Sequence, residues 1–270
     1  MTSAAPESGR VIEVSGLEKV FANGTRALSG VDLSVDSGET VVLLGANGSG
    51  KSTLQKSLTK LVEPTSGSVR VLDTEITTAS ERELKRLRRQ VGVVFQKINL
   101  VRELSVLTNV IHGGLGRAPS PRNWFSMTAR AERRDEAMEA LDRVGLTSVA
   151  GRRAEQLSGG QQQRVAIARM LMQRPKIVLA DEPVAALDPR AGRAVMDLLW
   201  AITEEQGLTL ICTLHQLQLA RDYGSRVVAL RDGTVEFDTQ MTEVPGEELE
   251  ELYASEDDEL VGANQSEGGS

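Results

Sequence analysis

The stretch TVVLLGANGSGKST (Thr40–Thr53) decides how this chain folds. Its first part, TVVLLG, is a continuous apolar run ending in glycine and reads as a strand buried on both faces. From Lys51 the pattern becomes helical, with Leu54, Leu58 and Leu61 on one side. Between strand and helix lies Gly-x4-Gly-Lys-Ser, the spacing of a phosphate cradle in the context that gives it a mechanism. The glycines let backbone N–H groups curl around phosphate oxygens without a Cβ clash. The helix that starts near Lys51 aims its positive end at the same anion. The candidate phosphate-binding residues are therefore Gly45, Ala46, Asn47, Gly48, Ser49, Gly50, Lys51, Ser52 and Thr53. Lys51 adds a mobile charge for the β- and γ-phosphates, and Ser52 offers a hydroxyl to Mg²⁺, which takes near-octahedral oxygen ligands. The motif alone specifies a nucleotide phosphate, not a reaction.

Outward from this stretch, VIEVSGL (Val11–Leu17) and VDLSV (Val31–Val35) alternate like strands with one buried face, and Asn23-Gly24 is a turn signal between them. SVRVL (Ser68–Leu72) and VGVVFQ (Val91–Gln96) read as further strands, with the short basic helix ERELKRLRRQ between them. No strong strand appears from about Leu104 to Gln173. AERRDEAMEALDRVGL (Ala131–Leu146) has helical spacing, and Gly145 suits its C-terminal end. IVLA (Ile177–Ala180), LTLICTL (Leu208–Leu214) and RVVAL (Arg226–Leu230) then alternate with helices near Arg190–Glu205 and Leu217–Tyr223. This alternation predicts an α/β fold with a mostly parallel, covered sheet and a helical lobe inserted at about 100–173.

The composition is that of an ordinary globular protein, 40% hydrophobic and 26% charged over 270 residues. The N-terminus has neither an apolar core nor a basic start, so it does not read as a secretory signal. No run approaches the roughly 18 apolar residues that span a bilayer, so work at a membrane requires another chain to supply the spanning part. The single cysteine, Cys212, sits in the apolar run LTLICTL and reads as a small buried hydrophobe; a cytoplasmic setting fits. The net charge of −7 is uneven. Residues 232–270 hold 13 of the 38 acidic residues and none of the 31 Lys and Arg, which leaves 25 acidic against 31 basic before them, a net of +6. A mildly basic body is expected to carry an acidic, largely disordered tail.

In IVLADEP (Ile177–Pro183), four apolar residues bury a strand and deliver Asp181 and Glu182 at its carboxyl end, where ligands bind in open α/β sheets. Successive strand residues point apart, so the two carboxylates are free to hold different roles. Asp181 is expected to hold Mg²⁺ and Glu182 to act as general base on an attacking water. LSGGQQQR (Leu157–Arg164) precedes a helical pattern, so Ser158 and the N–H groups of Gly159 and Gly160 form either a second anion site or a plain helix cap.

Taken in order, the cradle, Gln96, LSGGQ, the Asp-Glu pair, AALD (Ala185–Asp188) and His215 resemble the ATP-binding-cassette ATPases over about residues 10–240. The resemblance implies a P-loop nucleotide-hydrolase core with a mostly parallel sheet, an N-terminal antiparallel β subdomain and an inserted α-helical subdomain, followed by an acidic tail at 241–270. It implies ATP with Mg²⁺ and a head-to-tail pair of copies, in which Ser158, Gly159, Gly160, Gln161 and Asp188 of one copy meet the nucleotide held by Lys51 of the other. By the same resemblance Gln96 senses metal and water, His215 contacts the γ-phosphate, and Phe21 stacks on adenine, where Tyr is commoner. Stretches such as FQKINLVRELSVLTNV and the pair His215-Gln216 are closer to the ATPase subunits of phosphonate importers. That implies two transmembrane permease subunits, an extracytoplasmic phosphonate-binding protein, a peripheral place on the cytoplasmic face of the inner membrane and no nucleic acid. Other transport cassettes, namely amino-acid importers, exporters and lipoprotein-release systems, share every catalytic residue. A soluble cassette of DNA repair or translation and a non-hydrolysing regulatory module are the alternatives of other classes. RAPSPRNWFSMTAR (Arg117–Arg130) mixes basic and aromatic residues and reads as a loop of the helical lobe facing the membrane partner or an ordinary surface loop, with a nucleic-acid patch as the remote alternative.

Overall fold

The computed structural model describes residues 9–96, 98–117 and 129–245. The chain forms two compact units, one from Met1–Leu84 with Ile211–Ser270 and one from Lys85–Leu210.

The first unit holds an antiparallel sheet of order β2-β1-β4-β5, formed by β1 (Arg10–Val20), β2 (Arg26–Asp36), β4 (Ser66–Val71) and β5 (Thr74–Glu75). Ile12, Val14, Leu28 and Leu33 bury one face, as the alternation predicts. The strands run longer than that alternation, up to a turn at Phe21–Thr25 in which Phe21 and Thr25 pair and Gly24 has φ 85°. A second set of strands in this unit has the order β10-β9-β3-β8: β3 (Thr40–Leu44), β8 (Thr209–Thr213), β9 (Arg226–Arg231) and β10 (Thr234–Gln240). β3 lies parallel to β9 with Leu44 opposite Ala229, and its residues 41–44 are fully buried. Cys212 is fully buried, as its setting predicts.

β10 is absent from the sequence reading. Its side chains are half-exposed in alternation, so no apolar run marks it. The available signal was Asp232-Gly233, both at positive φ (49° and 79°), which form the two-residue turn joining β9 to β10. A second departure concerns α1 (Lys51–Ser57). Leu54 and Leu58 are buried, but Leu61 lies beyond the helix and is 56% exposed. Lys60 adopts φ 52°, and the N–H groups of Leu61 and Val62 fold back onto the Lys56 carbonyl, which turns Leu61 away from the helix face.

The second unit takes over within α2 (Glu81–Arg88) and holds β6 (Val91–Val94) beside β7 (Ile177–Asp181), in parallel register with Val94 opposite Ala180, and the start of β8 next to β7. The helices α3 (Val106–Gly113), α4 (Ala131–Arg143) and α5 (Gly159–Leu171) pack on one another through Val110, Ile111, Ala137, Leu141, Val165 and Ala168. Among the described residues no strand lies between 104 and 173, as the sequence predicts. Gly145 has φ 69°, and the N–H groups of Gly145 and Leu146 close the end of α4 onto Asp142 and Leu141, the geometry glycine permits after a helix. α6 (Pro189–Gln206) follows with Asp188 as its cap, and α7 (Leu217–Tyr223), in the first unit, matches its sequence bounds.

Candidate functional site

In the first unit the loop from Gly45 to Gly50 leaves the carboxyl end of β3. Gly45, Gly48 and Gly50 have φ of 135°, 81° and 106°, a region in which side chains are strained. A Cβ on Gly50 would stand 2.5 Å from the Ala27 carbonyl oxygen and one on Gly45 would strike that of Leu230, whereas Gly48 faces open space. The glycines thus serve different ends: two allow close backbone packing beneath the loop, and one opens its outer surface. Lys51 is only 5% exposed, and its ammonium donates to the carbonyls of Gly45 and Ala46. Ser49 Oγ is buried and has no hydrogen-bond partner among the described residues. A buried cation, an orphaned hydroxyl and a glycine loop fit a phosphate group.

His215 emerges at the same end of this strand set. The N–H of the preceding Leu214 bonds the carbonyl of Leu43 on β3, at 3.3 Å. Phe21 is 38% exposed on its turn, with Lys19 Nζ 5.1 Å from the ring centre, so one aromatic face is occupied by a cation and the side chain is not a core residue.

In the second unit Asp181 is the last residue of β7, and Glu182 follows with φ 47°. Glu182 thus lies just past the strand in a left-handed conformation, so the strand pleat expected from the sequence does not extend to it. Such strain at a non-glycine residue is typical of functional sites. Gln96 lies two residues past Val94, as Glu182 lies two past Ala180, so the parallel register sets both at the same end of the β6–β7 pair. Gln96 is exposed. No group of three or more His, Cys, Asp or Glu side chains is arranged to hold a metal ion among the described residues.

Ser158 caps α5. Its Oγ accepts from the Gln161 N–H, and the Gln161 side chain accepts from the Ser158 N–H, a reciprocal box. Gln161 is thereby turned to its own helix, while the N–H groups of Gly159 and Gly160 meet no acceptor among the described residues. A Cβ at Gly159 would sit 3.1 Å from Leu187 and one at Gly160 3.2 Å from Ala191, so the glycine pair seats the tip closely on the start of α6, next to Asp188. Asp188 itself caps α6 by accepting the Ala191 N–H.

Two residues in this unit escaped the sequence reading. Asn109 of α3 and Arg169 of α5 bond the backbone of the segment after Gln96. Burial lowers the pKa of Arg169 from its ordinary value. Arg169 reaches 70 residues back along the chain, which no local pattern reveals, whereas Asn109 reaches at most eight and carries no motif of its own. Of RAPSPRNWFSMTAR, residues 118–128 lie outside the described residues, as does the tail from 246; Met241 is still buried.

The ABC transporter family signature matches residues 28–185, more than half of the chain, and the chain belongs to the ABC transporter family. More particularly, it is 49% identical over 93% of its length to the phosphonates import ATP-binding protein PhnC of Nocardia farcinica, of which it covers 93%. It is 42% identical over 90% of its length to the protein of the same name from Lactobacillus johnsonii, of which it covers 95%. Among solved structures it resembles the dimeric ATP-binding cassette MJ0796 in a post-hydrolysis state bound to ADP and Pi, at 36% identity and a TM-score of 0.75, covering 85% of this chain and 98% of that one. It also resembles cbiO1 of Clostridium perfringens, part of the transporter complex cbiONQ, at 31% identity and a TM-score of 0.76, covering 87% and 90%. The predicted α/β cassette fold is therefore the fold observed.

Proposed function

We propose that this chain is the ATP-hydrolysing subunit of an importer of phosphonates or a closely related oxyanion. The observation that carries the substrate class is the 49% identity to a phosphonate import protein across nine-tenths of both chains. Lys51 and the loop N–H groups bind the β- and γ-phosphates, and Phe21 stacks on adenine, a contact of roughly 1 kcal/mol. Ser52, Asp181 and Gln96 hold Mg²⁺, which supplies charge neutralisation at the phosphoryl oxygens. Glu182 takes the proton of the attacking water, and His215 donates to the γ-phosphate as charge develops on it. Ser158, Gly159 and Gly160 of a second copy offer their donors to the same phosphate, with Asp188 at the seam.

ATP then favours the paired state of two copies, and hydrolysis with release of phosphate removes that preference. Two permease subunits take up this change, and an extracytoplasmic protein delivers the phosphonate. No described helix is long and apolar enough to cross a membrane; the likeness to import ATP-binding proteins is what supports a peripheral place on the cytoplasmic face. The test is reconstitution with the permease in vesicles and measurement of ATP-dependent uptake of an alkylphosphonate supplied with the binding protein. Uptake that requires ATP is expected; ATP-dependent movement of an amino acid or a lipoprotein instead would overturn the substrate assignment.

A further inference from the structure

The segment that follows Gln96 is fastened from two sides. Asn109, 1% exposed on α3, accepts the N–H of Val101 at 2.8 Å and donates to the carbonyls of Val101 (3.0 Å), Ser105 (3.1 Å) and Leu104 (3.4 Å). Both backbone polar groups of Val101 thus end on one buried side chain, as they would on a neighbouring strand. From the other side Arg169, in the last turn of α5, donates to the carbonyl of Asn99. The two helices that supply these side chains leave no gap between them. Gly113, at the end of α3, lies against the Arg169 backbone so closely that a Cβ there would strike the Arg169 carbonyl. At its far end, about 16 Å away along the helix axis, α5 carries the tip at Ser158–Gly160.

We infer that Arg169 and Asn109 are positioning residues: they bind the backbone of residues 99–105 to α3 and α5, so that the segment bearing Gln96 and the Ser158–Gly160 tip move as one body. This rests on the reading of Gln96 and the tip as groups that meet nucleotide. Neither clamp residue touches the nucleotide. A displacement at Gln96 is passed on to the tip because the intervening loop is held by a charge-assisted hydrogen bond from Arg169 and by part-buried hydrogen bonds from Asn109. Breaking the Arg169 bond leaves the phosphate loop, the metal ligands and the helix cap intact while loosening Gln96 from the tip.

The test compares Arg169→Met and Arg169→Lys in the full-length chain by amide hydrogen exchange without nucleotide and by steady-state ATP hydrolysis. In Arg169→Met, exchange of residues 99–105 is expected to quicken by roughly tenfold, the loss of one charge-assisted hydrogen bond, while amides of α6 and β3 keep their rates. The kcat is expected to fall on the order of 10- to 100-fold through misplacement, with KM for ATP nearly unchanged. Lysine, which still reaches one carbonyl, restores most of both. The inference is overturned if exchange at 99–105 is unaltered, or if it quickens with no change in kcat. A general loss of protection that lysine does not rescue also overturns it, by making Arg169 a packing residue. Should the wild-type chain hydrolyse no ATP, the functional reading fails, and the exchange contrast alone decides the clamp.

Discussion

The ammonium nitrogen of Lys51 lies 2.6 Å from the carbonyl oxygen of Gly45, the residue that opens its own loop, and 2.8 Å from that of Ala46. A phosphate oxygen carries a charge that these carbonyls lack, so a buried cation beside them gains a stronger, charge-assisted bond when an anion takes their place. Lys51→Met should therefore weaken MgATP binding by about 1.5–3 kcal/mol, or roughly 10- to 100-fold. Titration calorimetry measures this directly, and unchanged affinity would remove Lys51 from the phosphate site.

Glu182 stands in the left-handed region with φ 47°. Glu182→Gln should lower turnover by at least about 10²-fold, as expected on removing a general base, and leave an ATP-bound pair of copies that light scattering detects. A variant that hydrolyses ATP at the normal rate would show that the base lies elsewhere. The same backbone gives a stability contrast. Glu182→Gly lacks the carboxylate too, yet relieves a strain of roughly 1 kcal/mol, so it should melt above Glu182→Gln.

Ser158 caps α5 and is proposed to meet nucleotide as well, and substitution can part the two roles. Glycine is nearly as good a helix cap as serine, within a few tenths of about 1 kcal/mol, but has no hydroxyl. Ser158→Gly should hold its melting temperature while weakening ATP-driven pairing in a Glu182→Gln background. Full pairing by that variant would leave the serine a cap alone.

Glu136 sits among Arg117 (2.6 Å), Arg133 (2.5 Å) and Arg174 (2.9 Å). Burial alone would raise its pKa, but the hydrogen bond from Arg117 and the charges of the three guanidinium groups outweigh it and hold the carboxyl below 4.5. A carboxyl whose pKa is lower folded than unfolded stabilises the protein above the unfolded value and loses that effect as pH falls through the folded one. Glu136→Gln should thus cost about 1–3 kcal/mol at pH 7, with the difference from wild type shrinking below about pH 4.5. Melting curves across this range check it; a pH-independent difference would mean that packing, not charge, carries the effect.

Much of the candidate site was legible because it is local. The cradle, the Asp181-Glu182 pair and the Leu157–Gln161 tip each occupy consecutive residues at the end of a strand or the start of a helix, and apolar runs such as Val41–Leu44 and Ile177–Ala180 identify those elements without reference to the rest of the chain. β10 was lost because a half-exposed strand has no such run, although the Asp232-Gly233 turn announced it. Leu61 was misplaced because helical spacing continues in sequence past the point where Lys60 turns the backbone.

The amino-acid order by itself determined the α/β class, the phosphate loop, the carboxylates and the helix caps, since each depends on backbone conformation and neighbours a few residues away. Only the tertiary structure decided that Lys51 turns onto its own loop, that Glu182 takes a left-handed conformation, and that Asn109 and Arg169 hold the segment after Gln96. The Arg169 bond joins residues 70 apart in sequence, and a hydrogen bond between groups so separated leaves no periodic trace in the chain; it exists only once packing has brought the two segments together.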